Sequence, residues 1–251
     1  VSDAPHRDDD PAAVSVPPDA PPTVARAALR AAGQLGLAAL FATTLVAGTW
    51  ALTRGPIADA ERDARRHALE IVLPSARYDN DPDADAVHVH APAWLGPDPT
   101  TVLRATHDGR PAALVFDVVA TDGYAGPIAL RIAVDRDGRV LGVRVTDHRE
   151  TPGLGDGIEA ARSGWIDGFR GRSLGAPPAA RWRVRRDGGD FDQFAGATAT
   201  PRAVVAAVAR TLAFVATHGD ALRAAEAGAT LRFDDAPPTL PAPGADDGAR
   251  R

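Results

Sequence analysis

IALRIAVDRDGRVLGVRVT, residues 128–146, sets the fold class. Ile128, Leu130, Ile132 and Val134 alternate with smaller or charged side chains, the period-2 pattern of a strand with one buried face. Arg139 to Thr146 repeats the alternation less strictly, and Asp135-Arg136-Asp137-Gly138 between the two supplies a glycine turn. The stretch predicts a β-hairpin. Upstream, Ala86–Ala91, Val102–Thr106 and Ala112–Ala120 are further strand candidates, and Asp108-Gly109 joins the last two as a second hairpin. Downstream, a helix is expected near Ile158–Arg170, a strand near Arg181–Arg185, and a closing helix from Pro201 to about Thr217. Strands follow strands without regular βα alternation, and no G-x-G-x-x-G follows a strand. The prediction is an α+β domain of mixed sheet and helix, not a Rossmann unit.

Ahead of this domain, residues 31–53 carry no charge and lie between Arg30 and Arg54. At about 1.5 Å per residue, such a helix is long enough to cross the hydrocarbon core of a bilayer. No polar face recurs at helical spacing, and a cleaved signal peptide would have a shorter apolar region and a shorter polar leader. A single transmembrane helix in a lipid bilayer is therefore expected. The organisation reads as a disordered tail over 1–24, the membrane helix over 31–53, and a helix and linker over 58–85. A ligand-binding domain follows over 86–217, then a C-terminal extension over 218–251, mostly disordered. Ala60, Ala64, Leu69 and Val72 are spaced for one apolar face of the post-membrane helix, which Pro74 ends. Asp234–Arg251 holds four prolines and no apolar periodicity.

Composition narrows the function. A formal net charge of −5 argues against nucleic acid as a partner. With no cysteine, the chain forms no disulfide, iron–sulfur cluster or thiolate metal site, so redox work requires a borrowed cofactor. His88 and His90 share a strand face, a metal-binding spacing, but no second pair of ligands accompanies them, and no metal site is expected. Asp81, Asp83 and Asp85 lack the glycine and terminal glutamate of an EF-hand and read as a solvated loop. Arg181, Arg183, Arg185 and Arg186 read as a solvated basic face, with a phosphate or a neighbouring protein as the other option.

The segment that speaks to function is Asp192-Gln193-Phe194-Ala195-Gly196-Ala197-Thr198-Ala199-Thr200-Pro201-Arg202-Ala203-Val204. Thr200 and Pro201 are expected as the N-cap and first position of the closing helix, where proline loses no hydrogen bond. Unpaired N–H groups and partial positive charge at a helix N-terminus favour a phosphate. Gly196 and Ala197 leave room beside Thr198. Upstream, Asp147-His148-Arg149-Glu150-Thr151-Pro152-Gly153-Leu154-Gly155-Asp156 forms a loop that backbone glycines open to a flat ligand.

Asp192-x-x-Ala195-Gly196-Ala197-Thr198 resembles the D-x-x-[ST]-G-A-T flavinylation motif, whose last threonine carries FMN through a phosphoester. Ala195 departs from it. Four ordered segments resemble the G subunit of the Rnf-type (Rsx in some bacteria) ion-translocating electron transport complex. They are Tyr124-Ala125-Gly126-Pro127-Ile128, His148 to Gly155, Gly188-Gly189-Asp190-Phe191-Asp192-Gln193-Phe194, and Gly196 to Val204. The likeness covers roughly residues 25–215. It implies FMN held covalently at Thr198 and attached by a separate flavin transferase that uses FAD. Gly196, Ala197 and Thr200 would surround the phosphate. Glu150, Thr151, Leu154 and Gly155 would line the isoalloxazine, with His148 and Glu150 as proton partners. It implies other membrane subunits as partners and no independent catalysis. It also implies a flavin domain on the periplasmic side of the bacterial inner membrane, although Arg54, Arg62, Arg65 and Arg66 outnumber Arg26 and Arg30 and favour the reverse orientation. Two other readings stand beside it. One is the C subunit of a Na⁺-translocating NADH:quinone reductase, which shares the Glu-Thr-Pro-Gly-Leu-Gly loop; the other is a membrane flavin sensor.

Overall fold

The computed structural model describes residues 22–238, with side chains over 26–55 and 66–238. Contacts divide the chain into two compact units, Val1–Arg62 and Asp63–Arg251.

The first unit is built on α1, a continuous helix over Pro22–Glu70. It takes in both the expected span and the helix expected after it, running through Gly55-Pro56 without a break. Its stretch Arg26–Gly55 is long and apolar enough to cross a membrane. Leu35, Leu40, Phe41 and Val46 are each at least 64% exposed, which suits lipid and not water. The hydroxyls of Thr44, Thr49 and Thr53 donate to carbonyls four residues back at 2.8 Å, so they bring no unpaired donor into hydrocarbon. The Arg54 guanidinium lies 5.0 Å from the Trp50 ring, an arrangement suited to a membrane–water boundary. The tail expected over 1–24 falls outside the described residues, apart from its last three, which begin α1.

The second unit carries a six-stranded sheet. Its strands are β1 (Val87–His90), β2 (Thr100–His107), β3 (Arg110–Ala120), β4 (Ile128–Asp135), β5 (Val140–Asp147) and β6 (Thr230–Arg232). The order is β5-β4-β3-β2-β1-β6, antiparallel throughout except for the parallel pair β1 and β6. Both expected hairpins form. Asp108 and Gly109 turn β2 into β3 with φ of 51° and 70°, the mirror-image turn that matches strand twist. Gly138, at φ 76°, turns β4 into β5.

Helix α2 (Ala199–Ala224) lies on one face of the sheet, against β3 and β4. Val204, Val208 and Leu212 join Leu114, Phe116, Leu130 and Ile132 in the main core. Each such side chain contributes about 1.5–3 kcal/mol on burial. On the opposite face Leu69, Val72 and Leu73 cover Ala105, Ala113, Val115 and Ala133. Both faces being covered, β3 reads as a nearly unbroken buried run. α2 is also apolar enough to span a bilayer, but it is 72% buried, and its hydrophobicity belongs to this core.

Three expectations are corrected here. α2 runs on past Thr217 to Ala224, and β6 follows it, so the extension from residue 218 is ordered at least through 238. Phe233 packs on Phe214 and His218, and the Trp94 indole donates to the Asp235 carbonyl at 2.9 Å. Residues 239–251 lie outside the described residues. In place of a helix near Ile158–Arg170 stand short 3₁₀ turns over Asp156–Ile158 and Trp165–Phe169. Gly164 and Gly168 disfavour a helix there, and Trp165 and Phe169 are drawn into a cluster with Trp182, Phe191 and Phe194. The strand expected at Arg181–Arg185 is replaced by two more 3₁₀ turns, with a single bridge from Val184 to Phe191.

The C-terminal end of α2 is closed by Arg104 from β2, only 7% exposed. Its guanidinium donates to the carbonyls of Leu222 at 3.1 Å, Arg223 at 3.4 Å and Ala225 at 2.5 Å. It also donates to the Asp85 carbonyl at 2.8 Å and pairs with the Asp85 carboxylate. A buried cation thus satisfies carbonyls that a helix end leaves unpaired.

Candidate flavin site at the start of α2

The Asp192–Thr198 segment is held at its beginning and released at its end. Trp165 donates its indole N–H to the Asp192 carbonyl at 2.8 Å. The Phe194 ring lies so close to Gly157 that a Cβ there would stand 3.0 Å from it. A tight turn follows, closed by the Ala197 N–H on the Phe194 carbonyl at 3.2 Å, with Gly196 at φ 79°. Glycine reaches that conformation without the penalty other residues meet.

Thr198 occupies the N-cap position, and its hydroxyl makes no capping hydrogen bond. The helix begins at Ala199, so Thr200 is not the cap and Pro201 is the third helical residue. Proline still costs nothing there, since N–H groups of the first turn lack intrahelical partners. Thr200 is pulled inward instead: fully buried, it donates its hydroxyl to Glu150 Oε2 at 2.6 Å. The backbone N–H groups of Ala199 and Thr200 donate to no acceptor among the described residues.

Glu150 is 5% exposed, and its second oxygen accepts the Ala125 N–H at 3.1 Å. A Cβ on Gly155 would come within 2.8 Å of Glu150 Oε2 and 3.0 Å of Thr200 Oγ1. Around this packing the Thr151 carbonyl accepts the N–H groups of Leu154 and Gly155, both at 3.1 Å. Thr151 itself is exposed. Leu154 is 49% exposed and borders Gly196, where an added Cβ would lie 3.6 Å from its Cδ2. An open groove of about 640 Å³ runs beside them, lined by Pro152, Gly153, Leu154, Gly157, Phe194 and Ala195.

His148 accepts the Glu150 N–H on Nδ1 at 3.0 Å, and its Nε2 stands 2.7 Å from Glu159 Oε1. A backbone amide only donates, so Nδ1 is unprotonated in this arrangement and Nε2 carries the proton toward Glu159. Both ring nitrogens are thereby engaged within the loop.

The basic residues of 181–202 are largely matched to aspartates. Arg181 meets Asp190 at 2.9 Å, Arg185 meets Asp192 at 3.0 Å, and Arg202 makes a two-point pair with Asp187 at 2.6 and 3.0 Å. The hydrogen bonds from Arg202 hold the Asp187 carboxyl below the usual carboxylate range. Among the described residues no three His, Asp or Glu side chains are grouped as a metal would need. His88 faces Thr101 Oγ1 at 3.3 Å.

The structure thus gathers Gly196, Ala197, Thr198, Thr200, Glu150, Leu154 and Gly155 at one place. Tyr124, which was not among the expected site residues, is 75% exposed on the loop that Glu150 holds through Ala125. A large aromatic in a glycine-flanked loop was the available signal. Sequence reasoning missed that Glu150 and Thr200 bond to each other.

Two family models match the chain: an RnfG N-terminal region over residues 23–72 and an FMN-binding domain over residues 123–213. Curated relatives, each named as the G subunit of an ion-translocating oxidoreductase complex, align across most of their length. One from Pseudomonas aeruginosa is 48% identical over 202 residues, covering 80% of this chain and 94% of the relative. One from Stutzerimonas stutzeri is 51% identical over 188 residues, covering 74% and 80%. Another, from Cereibacter sphaeroides, is 47% identical over 184 residues, covering 73% and 82%. With an apolar helix in its first unit, a sheet domain matching the flavin family in its second, and relatives this similar, the chain belongs to the family of G subunits of ion-translocating oxidoreductase complexes.

Proposed function

We infer that this protein is a membrane-anchored electron-transfer component of an ion-translocating oxidoreductase, carrying FMN esterified through its phosphate to Thr198. FMN, when bound, supplies reversible one- and two-electron chemistry that this cysteine-free chain lacks. The protein's share is attachment, orientation and exclusion of water. The observation that supports the reading is the Thr198 hydroxyl, which makes no capping bond, followed by N–H groups of Ala199 and Thr200 that meet no acceptor among the described residues. Those donors suit phosphate oxygens at a helix start. Thr198 is half-buried, and half-exposed Leu154, which borders Gly196, offers an apolar surface to a flat ring.

Attachment joins Thr198 Oγ1 to the phosphorus of the FMN half of FAD, with AMP leaving, and a flavin transferase supplies that reaction. α1 anchors the chain in the bacterial inner membrane beside other subunits of the complex. The flavin domain lies on the periplasmic side, where a covalent link prevents loss of a cofactor that is not remade there.

The test is in-gel flavin fluorescence of the denatured chain isolated from its native membrane, followed by peptide mass mapping. The peptide containing Thr198 is expected to carry the mass of FMN, and Thr198→Ala is expected to abolish the fluorescent band while the chain stays in the membrane. A bare Thr198 peptide from that source would overturn the reading.

A further inference from the structure

We propose that Glu150 is a positioning residue that sets the spacing of two apolar jaws, Tyr124 and Leu154, about Thr198, and that Tyr124 is itself a flavin-contacting residue. This rests on the flavin attachment argued above.

The side chain of Glu150 touches three segments far apart in sequence. It accepts from the Ala125 N–H in the loop after β3 and from the Thr200 hydroxyl in the first turn of α2. It also packs against Gly155 in its own loop. Each contact stands next to an outward-facing group. Tyr124 precedes Ala125 and is 75% exposed; Leu154 precedes Gly155 and is 49% exposed. Thr198 lies two residues before Thr200. The glycines at 123 and 155 are what admit the carboxyl group, since a Cβ at either would come within 2.9 Å of a Glu150 oxygen. Apart from Ile71, Tyr124 and Leu154 are the only large apolar side chains described as exposed outside α1. Both lie one residue from a group that meets the Glu150 carboxyl, so one ligand at that place could cover them. A tricyclic ring tethered at Thr198 is of the right chemistry to be held between a phenol ring and an isobutyl group.

Burial makes the brace strict. Two donors and one carboxyl group satisfy each other away from water, and the loss of either donor leaves an oxygen without a partner. Glu150→Leu fills similar space but offers no acceptor, so the Ala125 N–H and the Thr200 hydroxyl both lose their partner.

The experiment uses the full-length protein co-produced with a flavin transferase and compares each variant per attached flavin. Tyr124→Leu is expected to raise flavin fluorescence, because an aromatic ring against the isoalloxazine quenches it, and to change the visible circular dichroism. Glu150→Leu and Thr200→Val are expected to move both signals the same way, and Thr200→Ser, which keeps the hydroxyl, to restore them. In the flavin-free Thr198→Ala background, Glu150→Leu is expected to speed amide exchange at Ala125 by about fivefold or more. Wild-type signals from Tyr124→Leu, or unchanged signals and exchange in Glu150→Leu, would overturn the proposal while leaving attachment standing. Absence of flavin from the wild-type chain would remove both.

Discussion

At its C-terminal end α2 gives the carbonyls of Leu222, Arg223 and Ala225 to a buried arginine, while at its N-terminal end the amides of Ala199 and Thr200 are given to nothing among the described residues. One helix is therefore closed where only stability is at stake and left open where a ligand is expected. The closed end draws on Arg104, a residue more than a hundred positions earlier in the chain. The open end is not slack, because its brace sits one step inside, in the bond between Thr200 and Glu150. An N-terminus can thus be firmly placed without its own donors being consumed.

Arg104→Leu should have the largest effect. It strands three carbonyls at the helix end and the Asp85 carboxylate, and should cost about 3 kcal/mol in urea unfolding of the flavin-free protein. A loss below about 1 kcal/mol would mean that water closes that end as well as the guanidinium does. Thr200→Val should cost about 1–2 kcal/mol by the same assay, since Glu150 stays buried with an unfilled acceptor. If it costs nothing, the N-terminal end is not braced, and the contrast fails from the other side.

The pair of Arg202 and Asp187 lies on the surface beside the open end and should contribute roughly 0.5 kcal/mol at most, less in high salt. Arg202 depresses the Asp187 carboxyl in the folded state, so the contribution is complete above the ordinary carboxyl range. It fades as pH falls through the lowered folded value. Asp187→Asn should therefore be slightly less stable than wild type at pH 7, and the gap should close in strong acid. A gap that widened on acidification would contradict this sign. Smallest of all, Thr198→Ala should change flavin-free stability by less than about 0.5 kcal/mol. A typical N-cap loses about 1 kcal/mol on such truncation, but this hydroxyl makes no cap bond.

What was readable from sequence follows the range of the interactions. The hairpins were legible because Asp108-Gly109 and Asp135 to Gly138 act over four residues or fewer, and the apolar run over 31–53 announces itself by length. The flavin motif was legible as a string. The cap was misplaced because Thr200 looked like an ordinary helix-starting threonine, and only its partner fifty residues away shows why its hydroxyl turns inward. The turns around Trp165 and Trp182 were misassigned because aromatic stacking among Phe169, Phe191 and Trp182 leaves no periodic trace. β6 went unseen because three residues are too few for a pattern.

That last strand governs how the sheet stops growing. β6 is three residues long and ends on exposed Arg232, and a rim so short and charged gives a foreign strand little to build on. A chain cut before Thr230 would bare the outer side of Val87–His90, a raw selvedge on which further copies could lay themselves down and begin to aggregate.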